Sequence, residues 1–254
     1  MLGAWRVLAK SLALGLLTLV IAPTQAVVLL FSRGAASMRV PPLFHRGMAA
    51  VLGLQVEVSG TPVRAAQAVF IGNHLSYLDI SVIGSVVSAR FVAKDDVRGW
   101  PVMGALASLQ QTVFISRKAR DAHAAAAALS EALDGGHRLV LFAEGTTSDG
   151  AGVLPFKSSI FSLLAEPAFR HVLLQPISLQ LLEVDGRAVQ EGGNRDLYAY
   201  HGDMQLGPHL FAFMRVSGAR LRLRFHLPFT ALPGESRKQL AARARAAVAL
   251  GIGA

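Results

Sequence analysis

Apolar runs alternate with segments of helical periodicity along most of the chain. Runs of apolar residues predict strands, and apolar positions that recur every three or four residues predict helices. The predicted strands are 66–72, 91–94, 111–117, the apolar start of 138–150, 171–180 and 220–227. The predicted helices are 76–87 with Ser76 as N-cap, a short helix that ends near 109, then 121–136, 158–166 and 235–250. This alternation predicts a domain of the α/β class.

The N-terminal part of the chain has a different character. Residues 11–32 contain no charged residue, and a helix of this length extends about 33 Å, enough to cross the hydrocarbon layer of a membrane. Basic residues flank it on both sides, so the positive-inside rule leaves its orientation open. Pro23 would kink or break a helix, which allows two short helices that dip into one leaflet. A secretory signal and a buried core helix are the other interpretations, and a retained membrane anchor is favoured.

No internal repeat and no linker divides the remainder of the chain. We therefore predict two regions, a membrane anchor over residues 1–39 and one catalytic domain over residues 40–254.

Composition narrows the classes of partner. Apolar residues make up 52% of the chain and charged residues only 16%, below the usual quarter of a soluble domain. The net charge of +9 attracts phosphate and anionic lipid, whereas few aromatics and no Lys/Arg tract argue against nucleic acid. The chain has no cysteine, which excludes disulfides, thiolate metal ligands and a thiol nucleophile. Membrane lipids are therefore the expected partners.

The stretch "VFIGNHLSYLD", residues 69–79, places candidate catalytic side chains at the end of a predicted strand. Asp79 can hydrogen-bond one ring nitrogen of His74 and leave the other nitrogen free to act as a base. The chain has neither a GxSxG nucleophile elbow nor cysteine, so the nucleophile would be a substrate hydroxyl or water. The alternative is structural: Asn73 and His74 satisfy backbone groups at the strand end, and Asp79 favours the helix start.

A second stretch, "FAEGTTSDG", has the same form of a strand that breaks into a polar turn. Its small residues expose backbone amides of the kind that bind anions. Glu144 fits a substrate hydroxyl or an arginine partner better than phosphate. Arg117, at the end of another predicted strand, suits a phosphate or a carboxylate. The other histidines show no metal-ligand spacing, so no metal site is predicted.

Four blocks in this order resemble the lysophospholipid acyltransferase family, which includes the 1-acyl-sn-glycerol-3-phosphate acyltransferases. "NHLSYLD" matches its NHxSxxD motif, and "FAEGTTS" is similar to its FPEGTRS. The other two blocks are "AKDDVRGWPVMGALASLQQTVFISR" and "LLQPISL". The resemblance spans about residues 66–180, and it implies a mixed sheet flanked by helices and preceded by a hydrophobic membrane segment.

The resemblance also implies roles for individual residues. His74 would be the general base and Asp79 its orienting partner in transfer of an acyl group to a lysolipid hydroxyl. The donor would be acyl-CoA or acyl-carrier protein, and no cofactor is expected. The residues implied in substrate binding are Asn73, Ser76, Lys94, Arg117, Glu144, Gly145, Thr146 and Thr147. The expected location is the inner membrane, with the catalytic domain on the cytoplasmic face.

Two positions depart from the family pattern. Thr147 stands where many members have arginine, and Ala143 where many have proline. The turn, together with "YAYHGDMQLGPHLF" downstream, looks more like the lyso-ornithine lipid acyltransferase branch, whose lipids carry no phosphate. The acceptor therefore stays open between lysophosphatidic acid and lyso-ornithine lipid.

Three other functions are compatible with parts of the pattern. The same dyad supplied with water would make a thioesterase or lipase, and a transacylase would move chains between lipids without a thioester. A membrane-anchored lipid-binding or scaffolding protein would not need His74 at all.

Overall fold

The computed structural model describes residues 2–34, 36–65, 67–116, 121–189 and 193–252. Its α-helices are α1 (Leu2–Phe31), α2 (Pro41–Leu52), α3 (Asp79–Val86), α4 (Met103–Leu109), α5 (Ala122–Asp134), α6 (Leu206–Arg215) and α7 (Arg237–Ala249). Its strands are β1 (Leu54–Ser59), β2 (Ala68–Gly72), β3 (Arg90–Lys94), β4 (Val113–Ile115), β5 (Leu139–Phe142), β6 (Leu173–Val184), β7 (Arg187–Ala188) and β8 (Ala219–Phe225).

The strands form one mixed sheet in the order β1-β8-β6-β2-β5-β3-β4, and β7 pairs with β6. The β6–β8 and β6–β7 pairs are antiparallel, whereas the other pairs along this order are parallel. The predicted mixed α/β fold is confirmed. All residues of β2 are buried, as expected for a strand near the middle of a covered sheet.

Helices cover both faces of the sheet. One core contains side chains of α2, α3 and α6, such as Leu52, Ile83 and Phe213. The core on the other face contains side chains of α5 and α7, such as Leu133 and Leu240. The sheet therefore holds the ends of β2 and β5 rigidly between two packed layers.

Register places the two polar turns side by side. β2 and β5 run parallel, and Gly72 pairs with Phe142 at their carboxyl ends. The chain after Gly72 carries Asn73 and His74, and the chain after Phe142 carries Glu144. The motifs predicted at two strand ends thus meet at one edge of the sheet, as parallel pairing requires.

Three predicted elements differ from the structure. Helix α1 continues through Pro23 as one helix from Leu2 to Phe31, without the predicted break. Helix α3 begins at Asp79 with Leu78 as N-cap, and not at Ser76, because the Asp79 carboxylate accepts backbone N–H groups and holds the preceding residues in a turn. Residues 158–166 form short 3₁₀ turns, Ser158–Phe161 and Leu163–Ala165, in place of the predicted helix, and the segment ends at Glu166, which Pro167 holds extended.

Four elements were not predicted from the hydrophobic pattern, namely α2, β1, β7 and α6. Strand β1 carries Gln55 and Glu57 among its apolar residues because it lies at the sheet edge, beside β8 alone. Its hydrophobic pattern is therefore too weak to indicate a strand from the sequence alone.

Helix α1 packs against the rest of the chain along one side. The Lys10 ammonium donates hydrogen bonds to the carbonyl oxygens of Leu52 (3.1 Å) and Val216 (2.9 Å). Further along the helix, the Gln25 amide donates to Ser37 O at 3.1 Å and Leu109 O at 2.9 Å. These contacts join α1 to α2, α4 and α6, while its other side is apolar and exposed.

Candidate active site

His74 and Asp79 form a hydrogen-bonded pair at the carboxyl end of β2. His74 Nδ1 lies 2.8 Å from Asp79 Oδ2, the Asp79 side chain is fully buried, and the imidazole keeps 17% of its surface exposed. The five-residue spacing brings the two groups together because the chain turns tightly between β2 and α3. The predicted contact between these two residues is present in the structure.

Both carboxylate oxygens of Asp79 accept hydrogen bonds. Besides the imidazole, Oδ2 accepts the backbone N–H groups of Leu75 (2.6 Å) and Ser76 (3.0 Å). Tyr198 Oη donates to Oδ1 at 2.8 Å. A carboxylate surrounded by donors favours the imidazole tautomer that carries its proton on Nδ1, which leaves Nε2 as an acceptor. The pair is therefore arranged for a base at Nε2.

The imidazole and its backbone are held by the neighbouring strand end. The His74 ring stacks on Phe142 with 3.7 Å between centroids and 10° between planes. Its backbone N–H donates to Glu144 Oε2 at 3.3 Å, and its carbonyl accepts from the Ser148 N–H at 2.8 Å. The turn after β5 thus fixes the position of His74 from two directions.

Glu144 is a structural carboxylate in this arrangement. It is 1% exposed, and Oε1 accepts the Leu154 N–H at 2.9 Å while Oε2 accepts the His74 N–H. Burial raises the pKa of Glu144 to about 7, partly offset by the backbone amides of Leu154 and His74. Its two oxygens bind the protein's own backbone, so the geometry indicates a positioning role.

A largely apolar cavity of about 450 Å³ opens beside His74. Its wall includes side chains of α1, α2 and α4, for example Leu14, Met48 and Leu106. His74, Phe142 and Tyr77 are also part of the lining. A volume of this size is typical of small-molecule sites and suits a flexible apolar chain.

The structure separates the predicted substrate-binding residues into groups. Lys94, Gly145 and Thr147 line the cavity together with His74. Thr146 is exposed and is not part of the cavity lining. Arg117 lies outside the described residues. Lys94 is the only lysine or arginine among the described lining residues, and it forms an ion pair with Asp96.

Asn73 and Ser76 are buried and are not part of the cavity lining. The Asn73 amide donates to Leu179 O at 2.8 Å and accepts from Leu179 N at 2.9 Å, so it ties β2 to β6. Ser76 is fully buried, and its hydroxyl accepts the Leu78 N–H at 3.4 Å. The geometry gives both residues a positioning role.

Two contributors to the site were not identified from the sequence. Tyr198 is fully buried and follows Asp79 by 119 residues, so only the fold brings its hydroxyl to the carboxylate. Burial and the nearby Asp79 raise the pKa of Tyr198 well above its ordinary value, which keeps it a hydrogen-bond donor. Ser148 lies in the polar turn after β5, 74 residues from His74, and its contact with His74 O has no local signature.

Among the described residues, no group of three or more His, Asp or Glu side chains could hold a metal ion. The chemistry that these residues offer is thus an imidazole, oriented by a carboxylate, in the wall of a largely apolar cavity.

Comparison with known proteins agrees with this chemistry. Residues 55–180 match the family described as Acyltransferase. The lyso-ornithine lipid O-acyltransferase of Brucella abortus is 34% identical over 95% of this chain and 91% of its own length. The 1-acyl-sn-glycerol-3-phosphate acyltransferase of Neisseria meningitidis is 29% identical over 77% of this chain and 73% of its own length.

The fold is that of a solved acyltransferase. The crystal structure of the 1-acyl-sn-glycerophosphate (LPA) acyltransferase PlsC of Thermotoga maritima superposes with a TM-score of 0.70 at 20% identity, covering 99% of this chain and 96% of that one. The matched sequence family and the long similarity to the Brucella protein establish that this chain belongs to the acyltransferase family that includes lyso-ornithine lipid and 1-acyl-sn-glycerol-3-phosphate acyltransferases.

Proposed function

We propose that this acyltransferase moves a fatty acyl group from a thioester to the free hydroxyl of a lysolipid, with His74 as general base. The observation that carries this proposal is the 2.8 Å contact between His74 Nδ1 and Asp79 Oδ2, with His74 in the wall of the apolar cavity. The cavity offers room for an acyl chain. The imidazole lies in the cavity wall, beside the proposed position of the thioester carbonyl at the end of that chain.

The reaction then follows from the tautomer of His74. Nε2 accepts the proton of the lysolipid hydroxyl as its oxygen attacks the thioester carbonyl carbon. The tetrahedral intermediate collapses with cleavage of the C–S bond, and His74 returns the proton to the sulfur. The products are the diacylated lipid and the free thiol of CoA or acyl-carrier protein. Asp79 stabilises the transient imidazolium and holds the ring, as in other His–Asp pairs.

The favoured acceptor is lyso-ornithine lipid. Thr147 contributes an uncharged side chain to the cavity wall, and Lys94 already has Asp96 as a partner. Within the described residues, this lining offers little uncompensated positive charge for a phosphate ester. The name of the Brucella relative points to the same acceptor, whereas the name of the Neisseria meningitidis relative points to lysophosphatidic acid.

We also propose that α1 lies along the surface of one membrane leaflet. The described part of the chain has one helix that is long and apolar enough to cross a membrane, Gly3–Phe31, near the N-terminus. A helix that spans a bilayer alone is surrounded by lipid, yet α1 packs on the domain from Lys10 to Gln25. Residues 1–39 would then be a membrane-contacting segment that also completes the cavity of the catalytic domain, residues 40–254. A thioester donor would favour a catalytic domain on the cytoplasmic face of the inner membrane.

Acyl transfer with two acceptors tests this function. The purified full-length protein is given labelled palmitoyl-CoA with either lyso-ornithine lipid or lysophosphatidic acid, and the labelled diacyl product is measured. His74→Ala should abolish transfer to both acceptors. His171→Ala is the matched control, because His171 is exposed and precedes β6 away from the cavity lining.

Each result separates the proposal from its alternatives. Preference for lyso-ornithine lipid in the wild type supports the acceptor proposed here, and preference for lysophosphatidic acid reverses it. Release of free fatty acid without an acceptor indicates a thioesterase. Transfer between lipids without CoA thioester indicates a transacylase. Unchanged transfer in His74→Ala would refute the mechanism.

A further inference from the structure

The loop between β3 and α4, residues 95–102, carries apolar side chains on the protein surface. Trp100 is 42% exposed and Val102 is 67% exposed, and Pro101 between them is exposed as well. The first turn of the loop, Asp95–Gly99, contains no buried residue. Contiguous apolar residues on a surface mark a contact with a partner. We refer to Trp100, Pro101 and Val102 as the loop tip.

Backbone hydrogen bonds give the loop tip a defined conformation. The Trp100 N–H donates to Val97 O at 3.1 Å, and the Trp100 carbonyl accepts from the Gly104 N–H at 2.9 Å. The Arg98 carbonyl passes so close to Gly104 that a Cβ atom there would lie 2.1 Å from its oxygen. The exposure of the tip is therefore a property of a folded loop.

The backbone of Val102 is unfavourable for its side chain. Its φ of 61° lies in the left-handed region, which a β-branched residue rarely adopts. Because Val102 is largely exposed, burial against the described part of the chain offsets little of this cost. Contact with an apolar partner outside the chain would offset more of it.

The charges around the loop tip balance one another. Lys94 forms an ion pair with Asp96, and Arg98 Nε lies 3.6 Å from Asp95 Oδ1. These two basic and two acidic residues leave the loop without net charge, so it has no electrostatic attraction for an acidic or a basic partner protein. Apolar contact is what the tip offers, and tryptophan is the residue enriched where lipid meets water. The lipid surface of a membrane is thus the partner that fits.

The loop and α1 flank the same cavity. Ile21 and Ala22 of α1 line it, as do Val97 and Trp100 of the loop. The Gln25 amide of α1 donates to the carbonyl of Leu109, at the end of the helix that follows the loop. The loop tip is therefore joined through the cavity wall to the helix for which we propose a membrane contact.

We propose that the loop tip inserts into the membrane leaflet that α1 contacts, and that the lysolipid enters the cavity from this leaflet between α1 and the loop. This inference rests on the proposed function for the identity of the lipid. A lysolipid that follows this route reaches His74 without carrying its apolar chain through water.

A dye attached to the loop tip tests insertion. The chain has no cysteine, so Val102→Cys gives one site for a polarity-sensitive fluorescent dye, and Val102 is not part of the cavity lining. The labelled full-length protein is mixed with phosphatidylcholine and phosphatidylglycerol vesicles, with and without bromine atoms on the lipid chains. Emission should shift to shorter wavelength and be quenched by the brominated chains.

Two other labelled positions make this result decisive. Leu12→Cys places the dye on the exposed side of α1 and should respond like residue 102, whereas Leu232→Cys, also exposed, should not respond. A response at residue 12 without one at residue 102 would overturn the proposal. Equal responses at residues 102 and 232 would also overturn it, because the dye itself would then drive the contact. A response at residue 102 to acyl-carrier protein and not to vesicles would assign the tip to a protein partner instead.

Acyl transfer tests the route of the lysolipid. Val102→Asp should lower kcat/KM about tenfold for a lysolipid held in vesicles, because a charge opposes insertion of the tip. It should keep kcat/KM for a short-chain lysolipid that is monomeric in water. Asp tolerates a positive φ better than Val, so the variant should fold, and its melting temperature checks this. Leu232→Asp is the matched control and should keep both values.

The outcomes separate this inference from the proposed function. Equal losses with both acceptors in Val102→Asp would show that the substitution disturbs the cavity, and the proposed route would be wrong. Absence of acyl transfer to either acceptor in the wild type would refute the proposed function. The dye measurement needs no turnover, so it still decides whether the loop tip inserts.

Discussion

Tyr198 donates a 2.8 Å hydrogen bond to Asp79 Oδ1 from the opposite side of the carboxylate to His74. Both residues are fully buried, and 119 positions separate them in the chain. Tyr198 packs on Phe213 of α6 with 5.9 Å between ring centroids. The carboxylate that orients the proposed base is thus itself oriented by a segment far downstream of the HLSYLD motif.

Tyr198→Phe should lower kcat for acyl transfer by about tenfold, because one hydrogen bond to a buried carboxylate contributes about 1.4 kcal/mol or more. KM should change little, since Tyr198 is not part of the cavity lining. Steady-state kinetics on the purified protein measure both quantities, and the melting temperature checks that the variant is folded.

A double-mutant cycle with Asp79→Asn tests whether Tyr198 acts through Asp79. In the Asp79→Asn background, Tyr198→Phe should cost much less than in the wild type, because the two residues share one interaction. Equal, additive losses in both backgrounds would show that Tyr198 supports the fold and not the catalytic pair.

Asn73→Ala should mainly reduce stability. The side chain makes two hydrogen bonds with the backbone of Leu179, and its loss leaves buried groups on β6 without partners. We expect the free energy of unfolding to fall by about 3 kcal/mol, measured by denaturant titration. At a temperature where the variant is folded, KM for both substrates should match the wild type. A raised KM with unchanged stability would restore the substrate-binding role implied by the family resemblance.

The sequence predicted the parts of this site that depend on local chain geometry. His74 and Asp79 lie five residues apart across one tight turn, so their contact follows from the strand-to-helix transition alone. The polar turn that carries Glu144 was also identified from the sequence, but its place beside His74 depends on the parallel pairing of β2 with β5.

Contacts between distant segments could not be predicted in the same way. Tyr198 reaches Asp79, and Gly84 accommodates His45, only through packing that depends on the whole fold. The hydrophobic pattern also does not show that Asn73 points to the backbone of β6 and not to a ligand. Helix α1 was identified by its length and apolar composition, but its contribution to the cavity wall depends on docking through Lys10 and Gln25.

Glu144 should make stability depend on pH. Its pKa of about 7 in the fold exceeds the ordinary value of 4.5, so the folded protein holds the proton over a range where the unfolded chain has released it. This contribution is fully present below pH 4.5 and is lost as the pH rises through about 7. The loss is on the order of 2 kcal/mol, and denaturant unfolding at several pH values measures it. In Glu144→Gln, the fall in the free energy of unfolding between pH 4.5 and about 7 should disappear. If that variant shows the same fall as the wild type, other groups cause it.

The outer side of α1 should govern membrane binding. Leu12 and Leu16 are 66% and 64% exposed on this side, which we propose lies in the lipid. Replacing both with Asp should weaken binding to anionic lipid vesicles at least tenfold in flotation assays, because each change removes apolar contact and adds a charge to the interface.

Leu232→Asp is the matched control for the α1 variant. Leu232 is 55% exposed and precedes α7. Helix α7 packs on one face of the sheet, and α2 and α6 pack on the opposite face. This variant should bind vesicles like the wild type. Equal weakening by both sets of changes would mean that a general gain of negative charge reduces binding, and the proposed orientation of α1 would then be wrong.

Thr147→Arg should shift acceptor preference toward lysophosphatidic acid. Thr147 and Gly145 line the same cavity as His74, and the glycine adopts a left-handed φ of 72°. A guanidinium at residue 147 would supply the bidentate, charged contact that a phosphate favours. We expect the ratio of kcat/KM for lysophosphatidic acid over lyso-ornithine lipid to rise about tenfold or more, and to fall again at high salt. Thr147→Gln adds length and hydrogen-bond donors without charge, and should leave the ratio near that of the wild type. If Gln and Arg shift it equally, the size of the side chain and not its charge determines the acceptor at this position.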